Sequence, residues 1–331
     1  AGFFPGVIYL LSLWFPSRYR ARMIASFYLG VPIAQIIGAP LSVGLMEMGD
    51  AWGFVGWRLM YIVEAVPAVI LGVVCYFYLT DHPADAHWLT DKQRSWLINT
   101  LAQEERNKPL VVGVQPTKGQ MIRKALCNRQ VWLLALVYFG ITSGSNAMNF
   151  FMPTVLASFR GTFGLEIGLM QNGLITAIPY AVAAVAMIWW SRRSDRLQER
   201  HWHAGGAAML AAVSIAVALW LNQPWIIVIG FILLAMGVYS AINVFWAVPG
   251  QVLTGVGAAV GIGLINSIGN LSGFIGPYLT GYLFTVTGSY TPGFMVIAAL
   301  VGLGGLGMVL MPRNKESQIG AALAPATGGK A

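Results

Sequence analysis

Acidic and basic side chains are absent from about a third of this chain. The 109 residues from Ala204 to Pro312 include no Asp, Glu, Lys, Arg or His. A water-soluble domain exposes much of its surface, so a stretch of this length without charge would aggregate in water. We therefore expect lipid to surround this segment. Its glycines and internal prolines divide it, and three helical spans of roughly 20 residues fit within it.

Cysteine and histidine are scarce as well. The two cysteines, Cys75 and Cys127, and the four histidines form neither a disulfide framework nor a cluster of metal ligands. Charged residues make up 10% of the chain, against about 25% in a typical soluble domain. The net charge of +8 is spread over short loops rather than along one face, so we expect no nucleic acid partner. No metal and no cofactor are expected.

What the sequence has in abundance is apolar segments long enough to cross a bilayer. Eight occur, near 23–45, 58–79, 130–157, 167–190, 204–221, 225–247, 257–285 and 292–311. Residues 1–15 are also uncharged, but as a helix they would reach only about 22 Å. The sequence therefore predicts an all-α polytopic membrane protein with eight complete transmembrane helices and part of another. We interpret the partial helix as the result of an N-terminal truncation.

The loops between these segments alternate between rich and poor in lysine and arginine. Of the 20 basic residues, 18 fall in 15–22, 80–129, 191–203 and the tail after 312. The intervening loops hold only Arg58 and Arg160. Because cytoplasmic loops of membrane proteins carry the excess of basic residues, this pattern predicts a cytoplasmic C-terminus.

The segment 80–129 is the one long polar connection. Thr90 and Gln93 have the spacing of a capping box, and Trp96, Leu97 and Leu101 follow at helical spacing. The pattern predicts a short amphipathic helix. Such a helix either lies along the membrane surface or is a solvated loop helix without membrane contact, and the sequence favours neither.

Four stretches carry a resemblance to a known family. They are AGFFPG (1–6) with WFPSRYRAR (14–22), YLTDHPADAHWLT (78–90), WSRRSDR (190–196) with ERHWH (199–203), and FWAVP (245–249) with NSIGNLSGFIGP (266–277). Together they resemble the major facilitator superfamily. Within it they are similar to the anion:cation symporters that import phthalate, tartrate, sugar acids and similar carboxylates.

The resemblance implies a division of the chain. Residues 1–79 would be the remnant of an N-terminal six-helix bundle, with the end of family helix four and helices five and six. Residues 80–129 would be the central cytoplasmic loop, 130–312 the C-terminal six-helix bundle, and 313–331 a cytoplasmic tail.

Polar side chains inside predicted spans are the candidates for substrate binding, because a buried amide without a partner costs on the order of 2 kcal/mol. The resemblance implies a substrate role for Gln35 and, most strongly, for Asn270. Ordinary packing or an interhelical hydrogen bond is the alternative at each position. The full set is Gln35, Asn146, Asn149, Tyr239, Asn243, Trp246, Asn266 and Asn270.

Two further sets concern coupling and gating. Glu64 lies well inside a predicted span and is a candidate for proton coupling, with a structural contact as the alternative. The resemblance places the family's coupling acids and anion-gripping arginine before Ala1. Asp195 and Arg196 match the family's gating loop between helices eight and nine, where Ser191 stands in place of the usual glycine.

These features together predict a bacterial inner-membrane transporter. It would import an organic carboxylate with protons by alternating access, as a monomer. Two alternatives are a proton-coupled drug or sugar antiporter of the same superfamily and a membrane-embedded enzyme. An enzyme would need facing acids or histidines inside the spans, which the long uncharged segment disfavours.

Overall fold

The computed structural model describes residues 3–51, 53, 55–106, 119–120, 123, 126–197, 199–249 and 257–311, and their regular structure is helical. The α-helices of this part of the chain are α1 (Phe3–Trp14), α2 (Ser17–Tyr28), α3 (Gly30–Ala51), α4 (Gly56–Tyr78), α5 (Asp91–Arg106), α6 (Arg129–Ala157), α7 (Phe159–Phe163), α8 (Leu169–Leu197), α9 (Arg200–Leu221), α10 (Pro224–Phe245), α11 (Gly257–Asn270), α12 (Ser272–Thr287) and α13 (Thr291–Leu310).

Local sequence explains where several of these helices begin and end. Asn128 caps α6, because its side chain accepts a hydrogen bond of 2.8 Å from the Gln130 backbone N–H. Asn222 adopts the left-handed conformation at φ 49° and ends α9, and Pro224 then begins α10. Gly288, at φ 69°, ends α12 in the same way. These short breaks separate apolar segments that would otherwise form a continuous rod.

The predicted all-helical membrane fold is confirmed. Within the described residues, seven helical segments are long and apolar enough to cross a bilayer. The predicted span 257–285 forms two shorter helices, α11 and α12, which meet at Leu271. The prediction of a loop over 15–22 is wrong, because α2 begins at Ser17 and only Phe15 and Pro16 separate it from α1. The prediction of a loop over 191–203 is wrong as well, because α8 continues to Leu197 and α9 begins at Arg200.

The buried core lies among α6, α8, α9, α10 and α13. Glycines allow these helices to cross closely. A Cβ atom at Gly140 on α6 would collide with the Leu300 carbonyl of α13, and one at Gly205 on α9 would lie 2.6 Å from the Gly305 carbonyl. Close crossings of this kind supply the packing contacts that hold membrane helices together.

The α4 helix packs against α3 and leaves most of its apolar surface open. Tyr76 and Phe77 are 83% and 80% exposed, and valines along the helix are about half exposed. Apolar area of this extent is stable against lipid tails and unstable against water. The exposed face of α4 therefore indicates contact with the bilayer.

The capping box of α5 is confirmed. The Thr90 backbone N–H donates to Gln93 Oε1 at 3.2 Å, and the Gln93 backbone N–H donates to Thr90 Oγ1 at 3.4 Å. Near the start of this linker, the Trp88 ring stacks on the Trp14 ring with centroids 5.5 Å apart. The end of α1 and the residues after α4 therefore lie on the same side of the molecule.

Candidate functional site

A break between α11 and α12 organises the polar residues of the candidate site. At such a break, backbone carbonyls lose the intrahelical partners that they would have in a continuous helix. Thr142 on α6 places its Oγ1 3.1 Å from the Gly269 carbonyl, next to the break. The same oxygen lies 2.7 Å from the Tyr138 carbonyl of its own helix, so the single hydroxyl proton is shared between α6 and the break.

Thr142 belongs to a chain of hydrogen bonds across the same interface. The Asn146 amide donates to Ser272 Oγ at 2.8 Å, and the Ser272 hydroxyl donates to Thr142 Oγ1 at 3.0 Å. We refer to Thr142, Asn146, Gly269 and Ser272 as the polar joint. Ser272 is fully buried and Asn146 is half-buried, so these bonds lie inside the bundle. The predicted site residue Asn146 therefore contacts the broken helix directly.

Asn270 lies at the break itself and is exposed. Its amide nitrogen donates to the Asn266 carbonyl one turn earlier at 2.8 Å, which fixes the orientation of the side chain. Asn266 is 6% exposed and is therefore buried. Of this predicted pair, Asn270 is the residue whose amide is open to a ligand.

Asn149 and Tyr239 are brought together by a residue that sequence reasoning missed. The Tyr180 hydroxyl on α8 donates to Asn149 Oδ1 at 2.6 Å. The Tyr180 ring meets the Tyr239 ring edge-on, with centroids 5.9 Å apart. We refer to Asn149, Tyr180 and Tyr239 as the tyrosine cluster. Asn149 is exposed and the two tyrosines are buried, so Asn149 is the residue of the cluster that a ligand can reach.

An aromatic group connects α6, α10 and α11. The Tyr138 ring stacks on Phe245 with centroids 5.1 Å apart and meets Trp246 edge-on at 4.9 Å. A Cβ atom at Gly269 would collide with the same tyrosine ring, so glycine is required there. Trp246 is 8% exposed, which places its ring within the bundle rather than on an open wall.

The other predicted residues lie apart from these groups. The Asn243 amide donates to Ser191 Oγ at 2.8 Å, about two turns before the end of α8. Gln35 is half-buried on α3, and no hydrogen bond joins it to a described side chain. Glu64 on α4 accepts a short hydrogen bond from the Ser42 hydroxyl of α3, so it contacts a neighbouring helix.

The two predicted gating residues, Asp195 and Arg196, are neighbours in the sequence but have different surroundings. Asp195 forms an ion pair of 2.9 Å with Arg200 at the start of α9, whereas Arg196 is exposed. The Ser194 hydroxyl donates to the Glu199 carbonyl at 3.1 Å beside that ion pair. The turn between α8 and α9 is therefore held by contacts from both helices.

The chemistry of the open positions suits a ligand rich in oxygen atoms. Amide groups such as those of Asn149 and Asn270 donate to carboxylate and hydroxyl oxygens and accept from hydroxyl groups. The Asn270 amide lies on the last residue of α11, directly before the break. Discontinuous helices of this kind form substrate sites in many secondary transporters.

Comparison with known proteins gives the family. A model described as Major Facilitator Superfamily matches residues 1–277. An Agrobacterium vitis protein named "Putative tartrate transporter" is 38% identical over 319 residues, which are 96% of this chain and 68% of that protein. An Acinetobacter baumannii protein named "Quinolone resistance transporter" is 34% identical over 305 residues, which are 92% of this chain and 68% of that protein.

The fold agrees with this assignment. The xylose transporter XylE from E. coli, in a partially occluded inward open conformation, aligns with a TM-score of 0.59 and 14% identity. The alignment covers 98% of this chain and 67% of that chain. At this level of identity the likeness concerns the fold alone. The chain belongs to the Major Facilitator Superfamily and is a multi-pass membrane transporter rather than an enzyme.

Proposed function

We propose that this protein imports an organic carboxylate with protons by alternating access. The observation that carries the proposal is the exposed Asn270 amide at the break between α11 and α12. The tartrate name of the Agrobacterium vitis relative supports a hydroxylated dicarboxylate as the substrate class. Such a molecule offers carboxylate and hydroxyl oxygens at several positions along its length.

In this proposal, amides on separate helices bind different oxygens of one substrate. Asn270 donates to a carboxylate, and Asn149, held by Tyr180, binds a hydroxyl or a second carboxylate. Gln35, Asn146 and Asn243 contribute in conformations where the helices have shifted. Transport requires that the substrate bind one arrangement of the helices better than the other, because only differential affinity shifts a conformational equilibrium.

A labelled-uptake assay tests this function. The full-length protein is reconstituted in vesicles, an inward proton gradient is imposed, and radiolabelled tartrate is compared with aromatic acids and sugar acids. We expect accumulation of at least one carboxylate. Asn270→Ala should raise KM about tenfold, since a hydrogen bond to a charged group contributes about 1.5 kcal/mol. Asn99→Ala, on the exposed surface of α5, is the matched control. Equal uptake by both variants would contradict the assigned site.

Proton coupling is tested at Glu64. Its carboxylate lies inside a predicted span and accepts a hydrogen bond from the Ser42 hydroxyl of α3. We expect Glu64→Gln to keep the exchange of labelled for unlabelled carboxylate and to lose accumulation driven by a pH gradient. Glu104→Gln, on the linker helix, is the control. Gradient-driven accumulation by Glu64→Gln at the normal level would assign Glu64 a structural contact only.

Drug export is the second candidate function, because the Acinetobacter baumannii relative carries a quinolone resistance name. The two functions differ in direction and in the charge of the substrate. Cells that express the protein should accumulate a carboxylate without a change in quinolone susceptibility. Reduced quinolone accumulation in those cells, without carboxylate uptake, would favour export.

A further inference from the structure

A basic groove lies at the end of α8, away from the polar joint and the tyrosine cluster. Its volume is about 350 Å³, and the described residues that line it are Trp189, Arg192, Arg193, Arg196 and Leu197. These positions follow the spacing i, i+3, i+4, i+7 and i+8, so all five share one face of the helix. The described residues that line the groove therefore all lie on one surface of α8.

Contacts on the opposite face fix the rotation of this helix end. Ser194 is fully buried, and its hydroxyl donates to the Glu199 carbonyl. The Trp190 indole N–H donates to the His203 carbonyl at 2.8 Å. With these two residues held against α9, the arginine face is directed outward and cannot turn into the bundle.

The three arginines of the groove carry charge that the described protein does not balance. No ion pair joins Arg192, Arg193 or Arg196 to a described carboxylate, and the nearby Asp195 is engaged by Arg200. Arg193 lies over the Trp189 ring, 5.8 Å from its centroid. Three like charges on two helical turns repel one another, and an anion bound between them relieves that repulsion.

The groove lies where the lipid-facing surface of α8 changes from apolar to basic. Val185 is 71% exposed and Trp189 58% exposed, and the arginines follow within the next two turns. Tryptophan is enriched at the headgroup level of membranes, where its ring is apolar and its N–H is polar. A ligand in this groove therefore meets acyl chains on one side and guanidinium groups on the other.

We propose that this groove binds the headgroup of an anionic phospholipid. The phosphate and its neighbouring charge would lie among the three arginines, and the acyl chains would run along Trp189 and Val185. A soluble phosphate fits the basic part of the groove alone, whereas a lipid fits both parts. This site is separate from carboxylate transport, and its test measures lipid binding rather than uptake.

The test compares phosphatidylglycerol with phosphatidylcholine of the same acyl chains, titrated into the purified protein in neutral detergent and counted by native mass spectrometry. We expect tighter binding of phosphatidylglycerol. The triple variant Arg192→Gln, Arg193→Gln and Arg196→Gln should weaken it about a hundredfold, since each basic residue near the surface contributes about fivefold. A control with Lys92, Arg106 and Arg123 changed to Gln removes the same charge from the linker and should keep the binding.

Equal binding of the two lipids would overturn the proposal. An equal loss of phosphatidylglycerol binding in the control variant would also overturn it. Displacement of phosphatidylglycerol by excess inorganic phosphate would also overturn it, because the groove would then be a site for soluble anions. If the triple variant does not fold, Arg193→Gln alone should weaken phosphatidylglycerol about fivefold without affecting phosphatidylcholine.

Discussion

At the scale of single residues, one phenolic hydroxyl determines how an open amide is presented. Asn149 is exposed on α6, and without a partner its side chain would sample several rotamers. The hydrogen bond of 2.6 Å from the Tyr180 hydroxyl to Asn149 Oδ1 selects one orientation of the amide. Because the amide is already ordered before the substrate binds, the entropic cost of binding is lower.

Removal of this hydroxyl is expected to weaken transport without unfolding the protein. Tyr180→Phe keeps the buried ring and its contact with Tyr239, and it removes only the donor to Asn149. The expected change is a rise in KM of about fivefold, from about 1 kcal/mol for one hydrogen bond. Tyr282→Phe, at a tyrosine 58% exposed on α12, is the control. A KM for Tyr180→Phe equal to that of the control would remove Asn149 from the site.

Sequence reasoning found Asn149 and missed Tyr180 for a physical reason. An asparagine inside an apolar span is costly, so its presence alone indicates a role. A tyrosine in the same setting is explained by its ring, and its hydroxyl becomes informative only when its acceptor is known. Tyr180 and Asn149 are 31 positions apart, and only the packing of α6 on α8 brings them together.

At the scale of elements, the break between α11 and α12 is stabilised from outside those helices. Thr142 on α6 is 127 positions from the Gly269 carbonyl, next to the break. The uncharged pattern predicted a continuous span over 257–285. The contact of Thr142 with Gly269 comes from tertiary packing, which periodicity and hydropathy do not contain.

Loss of the Thr142 hydroxyl should destabilise this region. Thr142→Val removes the partner of the Gly269 carbonyl and the acceptor of the Ser272 hydroxyl. Leaving buried polar groups unpaired costs about 1–3 kcal/mol, so the detergent-solubilised variant should unfold at a lower temperature. Thr285→Val is the matched control, because the Thr285 hydroxyl bonds only within its own exposed helix. A melting temperature for Thr142→Val no lower than the control would exclude the polar joint as a stabilising element.

The crossing of α6 and α13 depends on glycine at position 140. Gly140→Val places side-chain atoms against the Leu300 carbonyl and should cost about 2–3 kcal/mol, because the helices must move apart. Gly281→Val on α12 meets nothing within 4 Å and serves as the control. Thermal unfolding of the two variants in the same detergent measures the difference. Equal melting temperatures would show that the crossing is not tight.

At the scale of the whole molecule, two contacts pair segments that lie far apart in the sequence. Gly205, near the start of α9, lies against Gly305 and Val309, near the end of α13, so the turn between α8 and α9 and the end of α13 share a side. The contact between Trp14 and Trp88 joins the segments after α1 and α4. Charge counting placed these segments together from sequence alone, because loops alternate sides whenever every span crosses once. The orientation of this end toward the cytoplasm is part of our proposal.

The most direct test of a water-filled substrate site is the reactivity of cysteines placed within it. Cys75 and Cys127 are first changed to Ser, and Asn149→Cys and Asn270→Cys are compared with Leu303→Cys, an apolar position 65% exposed on α13. A membrane-impermeant maleimide should label the two asparagine positions quickly and Leu303→Cys slowly, and the transported carboxylate should slow labelling at the first two. Labelling of Asn149→Cys and Asn270→Cys no faster than Leu303→Cys, with or without carboxylate, would contradict the account.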